Sequence, residues 1–193
     1  GYYEEYKDSS YLVTYGLKPF TMDGKEVSKS DLVRQKKMDN KFGGGVFSLN
    51  YTNHRLTASL GGGLNQYRGS NFGRVTWVKN YIGALSPEHE YYRNQSKKTD
   101  GNIYLKATYD LTKGLSAYAD LQYRHIDYTI DGANDKYDWN KNTLRPLAID
   151  KKFDFFTPKV GLNWNINSNH RIYASFSVAQ KEPTRNNYTD GNP

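Results

Sequence analysis

Histidine is the residue type in this sequence that most readily binds metals or moves protons near neutral pH. The four histidines are His54, His89, His125 and His170, and no two have the spacing of a metal-ligand pair on a helix. Glu90 follows His89, but such a pair is ordinary in a solvated loop and falls short of a metal-ligand set. GxSxG, HExxH and P-loop motifs are also missing. We therefore predict no enzyme, no resident cofactor and no metal site.

The composition excludes several protein classes. The 193 residues include 18 Tyr and 8 Phe although only 36% of residues are hydrophobic, a mixture that suits two-faced strands and differs from disordered chains. Without cysteine there is no disulfide scaffold and no thiolate metal site. The net charge is +7, yet the basic residues are mixed with acidic ones and the basic groups at 34–37 and 97–98 are short. This pattern predicts no nucleic-acid partner.

Alternation of apolar and polar residues dominates the middle of the chain. Every second residue is apolar in 103–111 and again in 115–123, with Gly114 in the turn between them. Such a period predicts two antiparallel strands. A three-residue loop with Gly114 in the left-handed conformation pairs Leu105 with Leu121, so that apolar residues meet on one face.

Two further hairpins repeat this pattern. A tight turn at 53–54 joins the first pair of strands and places Gly44 opposite Gly63, where the facing glycines predict a local bend. The second pair turns at 167–171 and places Trp164 opposite Ala174.

The three hairpins predict an all-β fold, an antiparallel up-and-down meander of about six long strands. The strands are expected near 41–52, 55–69, 99–111, 115–130, 153–166 and 172–181, and long extracellular loops at 5–40, 70–98 and 131–152. Short turns that alternate with long loops, together with strands of at least about 9 to 11 residues, are typical of a transmembrane β-barrel. We therefore predict a fragment of a large barrel in contact with lipid.

The two environments of such strands suggest candidate functional residues. The polar face is expected to point into the barrel lumen, and its candidates are Lys106, Asp120, Gln122, Arg124 and Lys159, with Asn163 and Arg171 nearby. Long loops are natural places for ligand recognition because aromatic rings stack on ligand rings and cations attract anions. The candidates there are Tyr91, Tyr92, Arg93, Trp139 and Arg145.

Several short segments carry a resemblance to a known family. They are Gly1-Tyr2-Tyr3-Glu4-Glu5-Tyr6-Lys7, Tyr15-Gly16-Leu17, Asp31-Leu32-Val33-Arg34-Gln35-Lys36, Phe72-Gly73-Arg74-Val75-Thr76-Trp77, Gln122-Tyr123-Arg124-His125, and Ala174-Ser175-Phe176 through Glu182-Pro183-Thr184-Arg185-Asn186-Asn187-Tyr188. In order and spacing they resemble the barrel region of TonB-dependent outer-membrane receptors, particularly those of Bacteroides-type bacteria. The resemblance covers essentially the whole chain.

The resemblance implies a barrel of roughly 22 strands closed by a plug domain. It also implies import of a scarce nutrient across the outer membrane, most often a ferric siderophore, with haem, cobalamin and glycans as other cargo. TonB would supply the energy through the plug. The family's plug, TonB box and C-terminal strand are not recognisable in this chain, so we expect a partial barrel.

One alternative stays open at this level. A soluble, aromatic-rich β domain that binds glycans at the cell surface would show the same alternation, with Leu115 and Leu121 packed against a second sheet instead of lipid. Sedimentation of the full-length gene product with outer membranes, or its release into the soluble fraction, distinguishes the two.

Overall fold

The computed structural model describes residues 1–180 of the chain. In this range the elements are β1 (Tyr2–Tyr11), a 3₁₀ helix (Leu12–Tyr15), β2 (Phe20–Met22), β3 (Lys25–Val27), β4 (Lys29–Thr52), β5 (Leu56–Val78), β6 (Glu90–Thr112), β7 (Leu115–Asp138), β8 (Thr143–Asn165) and β9 (Arg171–Ser177). Seven strands form one sheet in the order β1-β4-β5-β6-β7-β8-β9, and β2 pairs with β3. The pairings of β1 with β4, β2 with β3 and β8 with β9 are antiparallel. The predicted all-β antiparallel fold is confirmed.

The chain divides into two compact units, and each long strand runs through both. Among the described residues, the loop-side unit comprises 1–42, 67–98 and 128–151, and the turn-side unit comprises 43–66, 99–127 and 152–180. No helix among the described residues is long and apolar enough to cross a membrane.

In the turn-side unit, the last hairpin has a register that differs from the prediction. Trp164 pairs with Ile172, and Ala174 pairs with Leu162. The turn is tighter than expected because the Ile166 N–H donates to the His170 carbonyl at 3.0 Å. The shift is two residues, so each side chain keeps its face.

The first hairpin is also shifted by two residues, but in the opposite direction along its partner strand. The Asn53 N–H donates to the Leu56 carbonyl at 2.8 Å, which moves the partner strand by two residues. A Cβ placed on Gly44 would meet Asn65 at 2.7 Å, so Gly44 does not face Gly63. The predicted patch of facing glycines is therefore wrong. The asparagine side chain explains the position of this two-residue turn, since its Oδ1 accepts from two backbone N–H groups within the turn, each at 2.9 Å.

The strands of the loop-side unit are longer than predicted, and the loops are correspondingly shorter. The expected loop 70–98 is mostly the end of β5 and the start of β6, and the expected loop 131–152 is a hairpin between β7 and β8. The expected loop 5–40 contains part of β1, which pairs with β4, and the β2–β3 hairpin. Alternation does not reveal these extensions because apolar residues, such as Val75 and Tyr91, are mixed with polar ones on their faces. Residue 181 of the last predicted strand, and segment 182–188 of the resemblance, lie outside the described residues.

A hydrophobic core lies in the loop-side unit. The 3₁₀ helix and the β2–β3 hairpin pack against the sheet through a cluster of buried side chains: Leu12, Tyr15, Leu17, Phe20, Leu32, Val75, Val78 and Tyr91. Gly16 ends the 3₁₀ helix in the left-handed conformation, with φ of 66°, and its N–H donates to the Val13 carbonyl at 3.2 Å. Segment 12–27 is thereby held on the sheet.

Candidate functional site

Two ion pairs organise the polar face of the turn-side unit. Lys106 Nζ lies 3.9 Å from Asp120 Oδ2, between residues that the predicted register of this hairpin places opposite each other. The Arg124 guanidinium donates through Nε to Asp100 Oδ1 at 2.9 Å and through Nη2 to the second carboxylate oxygen. Asp100 is buried although it is charged. Its pairing offsets the cost of removing that charge from water.

Arg124 also lines an open groove of about 350 Å³ across β6, β7 and β8. Its lining includes Asn102, Tyr104, Gln122, Arg124, Phe155 and Thr157. Gln122 donates to Asp120 at 3.2 Å, and Lys159 Nζ lies 5.9 Å from the centre of the Tyr118 ring. All five polar-face candidates belong to this unit. Two of them, Gln122 and Arg124, line the groove, and Lys106 and Asp120 form an ion pair. Sequence reasoning missed Asp100, which lies two residues before Asn102 on the same face of β6.

The opposite face of the same unit is apolar and exposed. On β6 and β7 it carries Leu105 and Tyr123, and on β8 and β9 it carries Leu162, Trp164 and Phe176, each at least 43% exposed. Exposed apolar area of this extent is unusual for a surface in water. The unit thus has one face suited to lipid and one suited to water.

The loop-side unit places three ligand candidates on a strand instead of in a loop. Tyr91, Tyr92 and Arg93 lie at the start of β6. Tyr91 is buried, with ring centres 4.8 Å from Tyr15 and 4.9 Å from Tyr92. Burial raises the pKa of the Tyr91 hydroxyl well above its ordinary value, against the opposite effect of the nearby Arg34 guanidinium. Tyr91 is a core residue in this fold, and Tyr92 packs edge-on against it.

Arg93 is an ion-paired surface residue. It donates to both carboxylate oxygens of Glu90, at 2.7 and 2.9 Å, and its guanidinium lies 4.3 Å from the centre of the Phe72 ring. The hydrogen bond from Arg93 lowers the pKa of Glu90, so both groups stay charged near neutral pH. An incoming anion would have to compete with this carboxylate.

Trp139 belongs to an exposed aromatic cluster of Tyr11, Tyr137 and Trp139. It is 54% exposed and meets the other two rings edge-on, at centre distances of 4.9 and 4.8 Å. Lys29 Nζ lies 4.1 Å from the centre of the Tyr11 ring. Arg145, which we had expected in a loop, is exposed on β8. The pairing of Tyr11 with Trp139 joins residues 128 positions apart, so sequence reasoning found only one member of the cluster.

Comparison with known families decides the class of protein. The family model for the β-barrel of TonB dependent receptor-like proteins matches residues 1–193. The chain belongs to this family. No curated protein matches the chain significantly.

Membership identifies the receptor as an outer-membrane protein of TonB-dependent transport, in a family of transporters and not of enzymes. The predicted family and location are confirmed. The lipid-compatible and water-compatible faces of the turn-side unit are what such a barrel wall requires.

A second polar cluster in the receptor was not predicted. Arg34 donates to Glu5 Oε2 at 2.7 Å, and Lys36 Nζ lies 2.5 Å from Asp135. Hydrogen bonds from Lys7 and then from Arg34 lower the pKa of Glu5 to about 2. These contacts join β1, β4 and β7 across the loop-side unit. They stabilise the sheet there as a network of opposite charges.

Two histidines of the receptor, His89 and His125, have polar partners. His89 Nε2 lies 2.7 Å from the Tyr15 carbonyl, and His125 Nδ1 lies 2.7 Å from Asp154 Oδ1. Within residues 1–180 no group of three or more His, Cys, Asp or Glu side chains is arranged to hold a metal ion. His89, directly before β6, links that strand to the last residue of the 3₁₀ helix, Tyr15.

Proposed function

We propose that this chain forms barrel wall and extracellular surface for the TonB-energised uptake of a ferric siderophore. The observation that carries the proposal is the two-faced sheet of the turn-side unit. Its groove of about 350 Å³ lies on the polar face, while residues such as Leu162 are exposed on the other. A wall that separates lipid from a hydrated lumen needs this division, and a folded domain in water has no use for it.

The lumen candidates fit a hydrated lining. Lys106 and Arg124 are paired with Asp120 and Asp100, so their charges are balanced within the sheet. A lining whose charges are paired offers water and a passing ligand many weak hydrogen-bond partners and no tight binding site. We propose that these residues, with Gln122 and Lys159, border the space through which the ligand passes, and that they contact the plug when the lumen is closed.

The aromatic cluster supports an anionic cargo with aromatic rings. Tyr11 and Trp139 offer ring edges and faces, and Lys29 places a positive charge beside them. A ferric catecholate combines flat aromatic rings with negative charge and would find both partners there. We propose Trp139 and Arg145 as ligand contacts, with Tyr92 and Arg93 as secondary ones.

TonB and the membrane are the remaining proposed partners. Exposed residues on the apolar face, such as Leu105, Leu162 and Phe176, would contact outer-membrane lipid. TonB would act through the plug domain of the receptor, which transmits energy from the inner membrane in this family.

Uptake of radioactive iron tests the proposal. A strain deleted for the gene is complemented with the full-length gene and supplied with an iron-loaded catecholate siderophore under iron limitation. We expect uptake that requires both the gene and an intact TonB. Growth on an oligosaccharide that depends on the gene, without iron uptake, would instead assign a glycan cargo, for which the exposed Trp139 ring is also suited.

A matched pair of tryptophans tests the ligand contact. Trp139→Ala should raise the ligand concentration for half-maximal uptake by about fivefold or more, the usual effect of losing an aromatic anchor. Trp77→Ala removes a ring of similar exposure, 45%, elsewhere in the same unit and should change uptake little. Equal effects of the two substitutions would remove Trp139 from the ligand site.

A further inference from the structure

A tyrosine of the turn-side unit reaches across one strand to the next. In the sheet, β8 lies between β7 and β9, yet the Tyr118 hydroxyl from β7 lies 2.6 Å from the Tyr173 hydroxyl on β9. The two rings are parallel, with an interplanar angle of 1° and centres 6.2 Å apart. Tyr118 passes over Gly161 of β8, where an added Cβ would lie 2.5 Å from its ring. The glycine therefore makes room for the contact between the two phenols.

A cation and a third hydroxyl lie beside this tyrosine pair. Tyr173 is directly opposite Asn163, so it shares the polar face of Lys159, four residues away from Asn163 on β8. Lys159 Nζ lies 5.9 Å from the centre of the Tyr118 ring. The hydroxyl of Ser175, two residues beyond Tyr173 on β9, forms hydrogen bonds with both phenols. Three hydroxyls and one ammonium group thus meet on one face.

The positive charge on this part of the polar face is not balanced. Within residues 1–180, Lys159 is exposed and forms no ion pair, whereas Lys106 and Arg124 are each paired with an aspartate. Arg171 flanks Tyr173 on β9 and donates to the neutral side chain of Asn163. The odd-numbered residues of β8 and β9, which share this face, include no Asp or Glu. An anion would meet no competing carboxylate on these two strands.

We propose that Tyr118, Lys159, Tyr173 and Ser175 form an oxyanion subsite, which binds a carboxylate or phenolate oxygen of the transported ligand. Each phenol has one O–H donor. One of the two donors is used between the phenols, so the pair retains one for a ligand. The Lys159 ammonium adds a charge, and charge-assisted hydrogen bonds are stronger than neutral ones. The subsite rests on the proposed function, in which an anionic ligand passes along this face.

A reporter thiol beside the subsite tests the proposal in the purified full-length receptor. Ser177 is exposed and directly opposite Lys159, so Ser177→Cys places the thiol there. The rate of its reaction with N-ethylmaleimide is measured as 2,3-dihydroxybenzoate is added, and the rate of the receptor without the substitution is subtracted. We expect a saturable slowing. Catechol, the same ring without the carboxylate, should not slow the reaction at the same concentrations, and equal slowing by both probes, or by neither, would overturn the subsite.

Variants in the same background locate the bound probe. Tyr118→Phe with Tyr173→Phe keeps both rings and removes both hydroxyls. It should raise the probe concentration for half-maximal protection by about tenfold or more, the usual effect of losing hydrogen bonds to a charged group. Lys159→Gln should have an effect of similar size. Unchanged protection in both variants would place the probe elsewhere and overturn the proposal.

Substitutions on the other face and in a turn are the matched controls. Tyr51→Phe with Tyr109→Phe removes two hydroxyls from exposed tyrosines of the same unit, and Lys113→Gln removes a charge from an exposed turn residue. Both controls should leave protection unchanged, and all variants should keep heat-modifiable migration on gels as the sign of a folded barrel. Losses in the controls as large as in the subsite variants would reduce the effect to non-specific attraction and overturn the proposal.

An acidic side chain of the plug would offer the same chemistry as the ligand. In that case the reporter thiol is already protected without probe, and Lys159→Gln accelerates its reaction by releasing the plug. Without such a contact, Lys159→Gln should slow the reaction, because a nearby cation favours the thiolate. Acceleration would therefore assign the subsite to the plug and overturn its role in ligand binding.

Iron uptake in the complemented strain separates the subsite from the proposed function. Tyr118→Phe with Tyr173→Phe should lower the maximal rate of uptake severalfold, because the ligand loses a partner on its path. Protection by 2,3-dihydroxybenzoate without any gene-dependent iron uptake would keep the oxyanion subsite and remove the ferric siderophore. Gene-dependent uptake without protection would remove the subsite alone.

Discussion

Substitution of Leu12 tests whether segment 12–27 is held on the sheet by its own small core. Leu12 is fully buried against a cluster that includes Leu32 and Val75. Its N–H donates to the Ser28 carbonyl at 3.0 Å, and its carbonyl accepts from Leu17 N at 3.0 Å. Loss of the side chain therefore weakens packing and backbone contacts at the same place.

The expected magnitude follows from the cost of a buried cavity. Leu→Ala substitutions in cores cost about 2–5 kcal/mol. If the segment opens locally, the exchange of the Leu17 amide should accelerate by about 30-fold to several thousand-fold, at about 1.4 kcal/mol for each factor of ten. The lower part of this range is expected because a small core with nearby solvent collapses easily after truncation.

Hydrogen exchange followed by mass spectrometry measures this effect on the full-length receptor. Val13→Ala is the control, because Val13 is the next residue and is 41% exposed. It should change the exchange of the Leu17 amide by less than threefold, as expected for a surface position. Equal acceleration in the two variants, or an unprotected Leu17 amide in the original receptor, would refute the packing described for this segment.

Three further predictions concern single positions. The cationic partners of Glu5 lower its pKa to about 2. The contribution of Glu5 to stability is therefore present above pH 4.5, the ordinary pKa of the group, and disappears as the pH falls toward 2. Glu5→Gln should remove this part of the pH dependence of thermal unfolding. Gly114→Ala should destabilise the barrel by at least about 1 kcal/mol in a urea titration. The φ of Gly114 is 84°, and the new Cβ would lie 2.6 Å from the Asn165 carbonyl oxygen. Gly43→Ala is the control, because its new Cβ meets no atom within 4 Å and the substitution should be neutral. Asp100→Asn should cost about 1–3 kcal/mol in the same titration, since it leaves a partly exposed arginine on β7 without its carboxylate; an unchanged midpoint would remove this ion pair from the account of stability.

The faces of the strands could be read from the sequence, but their register could not. Alternation has a period of two, so a shift of two residues leaves every apolar residue on the apolar face. Trp164 was predicted opposite Ala174 and lies opposite Ile172. What decides between these registers is the turn, where Asn167 accepts hydrogen bonds from the N–H groups of residues 169 and 170, each at 2.9 Å. Side-chain hydrogen bonds of this kind have no signature in hydrophobic periodicity.

The extent of the strands was underestimated for a related reason. Alternation arises where one face meets lipid and the other meets water. In the parts of β4 to β8 that belong to the loop-side unit, polar residues are mixed with buried apolar ones such as Leu32 and Val75. The alternation therefore fades while the strands continue. The sequence also does not reveal which distant residue a residue such as Trp139 contacts, as its ring contact with Tyr11 demonstrates. The clusters that depend on such distant contacts could not be predicted, whereas Lys106 and Asp120 could, because they lie within one hairpin.

The two units differ in the solvent that stabilises them, and this difference changes the meaning of one substitution. Leu12 of the loop-side unit is fully buried, whereas Leu162 of the turn-side unit is 48% exposed on the apolar face. The hydrophobic effect drives the burial of Leu12, and truncating the Leu12 side chain leaves a cavity. Leu162 would contact lipid tails, and lipid tails can fill the space that its truncation leaves. Leu162→Ala should therefore cost far less than Leu12→Ala in a bilayer. In water, truncating Leu162 should be favourable, because it reduces exposed apolar area that only a membrane can cover. This chain therefore combines a loop-side unit that has its own hydrophobic core with a turn-side unit whose exposed apolar side chains require a membrane to cover them.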